Sequence, residues 1–157
     1  MVLSISAMGC KSRTLGKIVT PDRKQACLPE NLGQRVTAKG YVILNEGLCY
    51  GACMGEMLET SAFGKYKDGS SITVFIDAKR PISVETVQVP NDMGLDGGSG
   101  RRRLRSFKTH DGKSVDGHLE ILLSGVLKKD DTTAKDGPYC SLMVDRIDDP
   151  HATTPPK

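Results

Sequence analysis

The stretch Val36-Thr37-Ala38-Lys39-Gly40-Tyr41-Val42-Ile43-Leu44 decides the fold class. Val36, Ala38, Val42 and Leu44 fall on one parity and Thr37, Lys39 and Tyr41 on the other, and this period of two predicts a strand buried on one face. Gly40 interrupts the buried parity where a bend would let one strand serve two sides of a curled sheet. Working outward, Glu56-Met57-Leu58-Glu59-Thr60 reads as a short second strand, Lys67-Asp68-Gly69-Ser70 as a turn, and Ile72-Thr73-Val74-Phe75-Ile76-Asp77 as an alternating, β-branched third strand. Leu119 to Leu127 is predicted as a core strand, and Cys140-Ser141-Leu142-Met143-Val144-Asp145-Arg146-Ile147 closes the domain. Between them, Pro81, Pro90 and Asp96-Gly97-Gly98-Ser99-Gly100 exclude one long element over Arg80 to Gly117. Within that connection, Leu104 to Thr109 and Lys113 to Val115 flank His110-Asp111-Gly112, a hairpin signal. The expected core is Val36, Ala38, Val42, Leu44, Ile72, Val74, Ile76, Leu119, Ile121, Leu123, Leu142 and Val144.

A chain of 157 residues has room for one such core plus tails. Its 38% hydrophobic and 26% charged residues are ordinary for a globular domain, and 17 Gly with 8 Pro imply short elements and many turns. No apolar run reaches the length of a membrane-spanning helix. The formal charge of +3, from 22 basic and 19 acidic residues, is too balanced to indicate nucleic-acid binding by itself.

Gly33-Gln34-Arg35-Val36-Thr37-Ala38-Lys39-Gly40-Tyr41-Val42 resembles the opening strand of an OB-fold, and Ser124-Gly125-Val126-Leu127 with Cys140-Ser141-Leu142-Met143-Val144 resembles its last pair. Over about Leu32 to Asp148 the chain is similar to OB-like, tRNA-anticodon-binding-like domains of exported bacterial lipoproteins of unassigned function. The resemblance implies an all-β, five-stranded Greek-key barrel, with the long irregular connection and its small hairpin between strands 3 and 4. It implies no particular ligand, since such barrels host many functions.

The N-terminus carries a different message. MVLSISAMG is small and apolar and runs directly into Cys10, after which the chain turns polar. Ala7-Met8-Gly9-Cys10 resembles a bacterial lipobox, in which small residues precede the cysteine that becomes lipidated, although no basic segment precedes the apolar stretch and Met8 is bulky. A second reading starts at Met8, where Met-Gly-Cys-Lys-Ser resembles acylated eukaryotic N-termini; Arg13 stands where that motif wants Ser or Thr. The expected organisation is therefore a signal-like segment over 1–9, a lipid anchor at Cys10 with a polar linker to residue 31, a barrel over 32–149 and a disordered tail over 150–157. Lys11 after the cysteine resembles lipoproteins passed on to the outer membrane.

With Cys10 set aside, Cys27, Cys49, Cys53 and Cys140 remain. In an exported chain they oxidise by default, and of the three pairings open to four thiols the expected one joins Cys49 to Cys53 and Cys27 to Cys140. A buried, unpaired Cys140 is the bland alternative. One Cys-x-x-x-Cys pair without a second pair or paired histidines does not make the usual zinc pattern, so no metal and no cofactor are expected. Arg101, Arg102, Arg103, Arg105 and Lys108 form the single basic cluster; it suits a polyanion, or is simply a solvated loop. Nucleic-acid stacking would want aromatics beside it, and the chain has no Trp and only Tyr41 and Phe75 on strand centres. His110 beside Asp111 is explained by turn chemistry, and no nucleophile elbow or phosphate-cradling loop is present. The expectation is a non-catalytic envelope lipoprotein that binds an envelope protein or a polyanion, with a cytosolic single-strand nucleic-acid binder as the alternative.

Overall fold

The computed structural model describes residues 14–49, 52–59, 71–77, 83–89, 101–117, 119–131 and 137–152; over 44–49, 52, 77, 83–89 and 101–105 it describes the backbone course alone. Among the described residues, nine strands and one short helix follow in order. They are β1 (Lys17–Val19), α1 (Arg23–Ala26), β2 (Arg35–Cys49), β3 (Ala52–Leu58), β4 (Ile72–Asp77), β5 (Ser83–Val89), β6 (Arg101–Lys108), β7 (Ser114–Asp116), β8 (Ile121–Lys129) and β9 (Cys140–Asp148), with a 3-10 turn at Pro29–Asn31 after α1.

Strands β2, β3, β4, β9 and β8 lie side by side, and β8 returns to pair with β2, so the sheet closes into a five-stranded barrel with β1 added beside β2. This is an all-β, OB-like barrel. One circuit explains why β2 is 15 residues long. From Val144 the ladder runs through Gly125 to Val36 in one direction, and through Ile76 and Cys53 to Cys49 in the other. The staggered register that closes a barrel therefore lands at two places on the same strand. β2 pairs with β8 up to Gly40 and with β3 from Tyr41 onward, so Gly40 marks the change of partner. A Cβ there would collide with the Leu58 carbonyl, which is why glycine is needed. Inward alternation nevertheless continues through it, with Val36, Ala38, Gly40 and Val42 all buried. The register shift lies further on, between Leu44 and Cys49.

Most of the expected core is buried: Val36, Ala38, Val42, Ile72, Val74, Ile76, Ile121, Leu123, Leu142 and Val144. Leu119 is not; it is 52% exposed, because β8 begins at Ile121 and Leu119 belongs to the turn before it. The Leu44 side chain lies outside the described residues. The second strand runs Ala52–Leu58 instead of starting at Glu56, since it completes its ladder with β4 back to Asp77.

Two further differences concern what fills the ends of the barrel. The connection between β4 and β8 contains the hairpin expected around Asp111-Gly112, but β5 joins it as a third strand in the order β5-β6-β7. Phe107 from β6 is fully buried in the barrel's own core, and the His110 N–H donates to the Ile147 carbonyl at 3.0 Å, so this small sheet covers the end where β9 finishes. OB-folds often place a helix in this connection.

At the other end, the stretch expected as linker is built into the fold from residue 14 onward. The Gly16 N–H donates to Thr37 Oγ1 at 2.8 Å, the Thr14 carbonyl accepts from Arg35 Nε at 2.6 Å, and β1 lies parallel to β2. Ala26 and Cys27 are buried in the core. Asp22 caps α1 by accepting from the Gln25 N–H, and Asn31 Nδ2 donates to the Gln25 and Ala26 carbonyls at 3.2 and 3.1 Å. Both ends of a four-residue helix too short to stand alone are thereby satisfied.

Candidate functional site

The register places two outward-facing rows across the barrel wall. One joins Ile43, Glu56, Thr73 and Ser141; the other joins Met54, Phe75, Met143 and Val126. Their inward neighbours Ile72, Val74, Ile76, Leu142 and Val144 are buried, which turns the alternate residues to the outer face of the wall, where Ser141 alone among those described in the two rows is covered. The first row is mostly polar. Ser71 Oγ donates to Glu56 Oε2 at 3.3 Å, and Ser141 Oγ lies 2.7 and 2.9 Å from the two Asp130 carboxylate oxygens. The second row is apolar and soft: Met54, Phe75 and Val126 are half-buried and Met143 is exposed. In barrels of this type the face of the second and third strands, here β3 and β4, is where ligands are commonly met. Paired methionines flanking a phenylalanine suit an adaptable apolar contact.

This row was not legible in the sequence, because β4 and β9 are far apart in the chain and pair in parallel. The available signal was the outward parity of Phe75 and Met143 on strands whose other parity is aliphatic.

The row ends near a charged pair. Arg35 Nη1 and Nη2 donate to the Asp145 carboxylate, both at 2.8 Å, across the bulge at Ser124 and Gly125. Further along β9, Arg146 Nε and Nη2 hold the Asp148 carboxylate at 2.7 and 2.9 Å, and His110 Nδ1 lies 2.9 Å from Asp148. His110 therefore meets Asp148 and not its neighbour Asp111. Hydrogen bonding to Asp148 raises the Arg146 pKa above its ordinary value, against the opposing cost of burial. Asp111 accepts from the Thr109 hydroxyl, and that bond first, with the Lys113 charge after it, holds its carboxyl below the usual range. These groups fasten the β6–β7 turn to β9.

The expected cysteines are placed as follows. Cys27 and Cys140 form a disulfide with their Cα atoms 5.5 Å apart, and both are buried. Cys53 is also disulfide-bonded, and its partner in the ladder is Cys49, whose side chain lies outside the described residues. Beside the disulfide, the Arg23 guanidinium sits 4.0 Å over the Tyr139 ring. Cys10 lies outside the described residues.

Arg101, Arg102, Arg103 and Arg105 lie on β6, with Val89, Gln88 and Val87 opposite the first three, so the basic cluster belongs to a strand and not to a loop. Their side chains lie outside the described residues; Lys108, at the end of β6, is exposed. Among the described residues no three His, Cys, Asp or Glu side chains gather closely enough to hold a metal ion. No family model, curated protein or solved structure matches the chain.

Proposed function

We propose that this protein is an exported, lipid-anchored module of the bacterial cell envelope, without a catalytic role, that offers the outer face of β3, β4 and β9 to a partner. The observation that carries the reading is the buried Cys27–Cys140 disulfide, together with the disulfide at Cys53. Cytosolic thiols are kept reduced, whereas disulfides built into a core belong with oxidising compartments. The Ala7-Met8-Gly9-Cys10 sequence supplies an anchor consistent with that compartment. The face around Met54, Phe75 and Met143 favours a protein partner over an oligonucleotide, because base stacking would need more than one aromatic and adjoining cations.

Expression in a Gram-negative host with the full upstream region and a palmitate analogue should label the wild type and not Cys10→Ser. Alkylation in the same cells should find Cys27 and Cys140 protected. Unlabelled protein with reduced thiols and steeply salt-dependent oligonucleotide binding would replace this reading with a cytosolic nucleic-acid binder.

A further inference from the structure

We propose that the segment over residues 14–34 is the membrane-facing surface of the protein, with Leu15, Ile18 and Leu28 seated among the headgroups of the bilayer that holds Cys10; this rests on Cys10 being lipidated. A chain tethered by a long flexible linker would place no demand on the barrel's orientation. Here the tether is short. The backbone is pinned to β2 from residue 14, where the Thr14 carbonyl meets Arg35, and Gly16 then binds Thr37. Four peptide steps separate Cys10 from Thr14, and at ~3.3–3.6 Å each they span at most about 14 Å. The polar layer of a bilayer is itself roughly 5–8 Å deep on each side. A lipid on Cys10 thus brings β1 to the headgroups.

The residues brought there are suited to them. Ile18 on the edge strand β1 is 75% exposed, Leu15 52% and Leu28 40%, and all three precede β2. Isolated exposed leucines are common and need no explanation. These three fall within fourteen residues at the tethered edge of the barrel, while the remaining large exposed apolar side chains among the described residues, Leu119 and Met143, lie in the turn before β8 and on β9. Over residues 11–34 the sequence carries Lys11, Arg13, Lys17, Arg23 and Lys24 against Asp22 and Glu30, a balance that favours anionic headgroups. Lys24 is exposed, whereas Arg23 faces Tyr139 and Lys17 donates to Asn31.

The chain contains no tryptophan, so I18W, L28W and L119W each create a unique fluorophore. The full chain is coupled through Cys10 to a maleimide-headgroup lipid in phosphatidylethanolamine/phosphatidylglycerol vesicles, with and without acyl-brominated lipid; Cys10→Ser checks that coupling goes through that thiol. Brominated lipid should lower emission from I18W and L28W about twofold or more, and leave L119W unchanged, as expected for side chains at the acyl boundary. Equal quenching of all three, or of none, overturns the proposal. Chemical coupling bypasses cellular lipidation, which the palmitate experiment tests separately. Labelled Cys10 with unquenched I18W leaves the anchor standing and overturns the docked surface; unlabelled Cys10 overturns the anchor and this proposal with it.

Discussion

The two ends of the barrel are closed by opposite strategies. At the β9 start, a four-residue helix inserts Ala26 and Cys27 and is fixed by a covalent bond to Cys140. At the β9 finish, a small antiparallel sheet inserts Phe107 and is held by packing and hydrogen bonds, among them His110 N–H to the Ile147 carbonyl at 3.0 Å. The difference follows from what each plug can satisfy by itself. A single helical turn forms too few internal hydrogen bonds to persist, so it needs a cross-link. A hairpin brings its own ladder, and one large aromatic is enough to seat it.

Breaking the covalent end should have the largest effect. The Cys27–Cys140 bond spans 113 residues of sequence, and a loop of that order constrains the unfolded chain by about 4–5 kcal/mol. The Cys27→Ser/Cys140→Ser protein should lose about that much in urea unfolding, with amide protection lost first around α1. Phe107→Ala should cost about 3–4 kcal/mol, since it removes a fully buried ring from the core. In that variant, hydrogen exchange should rise over β6 and β7 while α1 keeps its protection. If α1 opens equally, the two ends are not independent.

Thr37 ties the strap of β1 to the wall, accepting from the Gly16 N–H and sharing a 2.8 Å bond with Ser124 Oγ. Thr37→Val should cost about 1–3 kcal/mol by leaving buried polar groups unpaired, and should speed amide exchange at residues 16–19 above all. The smallest effect is at Asp111. Its folded pKa lies below the ordinary value, so the folded state binds fewer protons as pH falls toward that range. Its contribution is fully present above about pH 4 and fades as pH falls through the folded value. Amide protection in the Thr109–Lys113 turn, taken relative to the intrinsic exchange rate at each pH, should therefore fall below about pH 4 in the wild type and be low at every pH in Asp111→Asn, with no resolvable change in global stability.

Strand periodicity carried most of the barrel. The parity of Val36, Ala38 and Val42, and of Ile72, Val74 and Ile76, assigned inward faces that the structure keeps, and Gly40 stands where β2 changes partner, although the register shift lies beyond Leu44. Leu119 misled because an apolar residue adjoining an alternating run looks like its continuation, whereas strand ends are set by which partners remain to pair with. The three residues of β1 and the four of α1 are too short to show any period, and Lys17, Arg23, Lys24 and Gln25 make them read as solvated linker. Their order comes from contacts with β2 and Cys140.

By itself the sequence determined an all-β chain, the inward parity of its long strands and the hairpin at Asp111-Gly112, and it left Cys27–Cys140 as the expected one of three pairings, which the structure makes. These depend on local alternation, turn chemistry and the scarcity of alternative partners. Tertiary structure decided the closure of β8 onto β2, the parallel pairing of β4 with β9, the apolar row from Met54 to Val126 and the docking of residues 14–31. Those features join positions far apart in the chain. Their free energy comes from burying surfaces that meet only after the barrel has closed, so no local window of residues contains it.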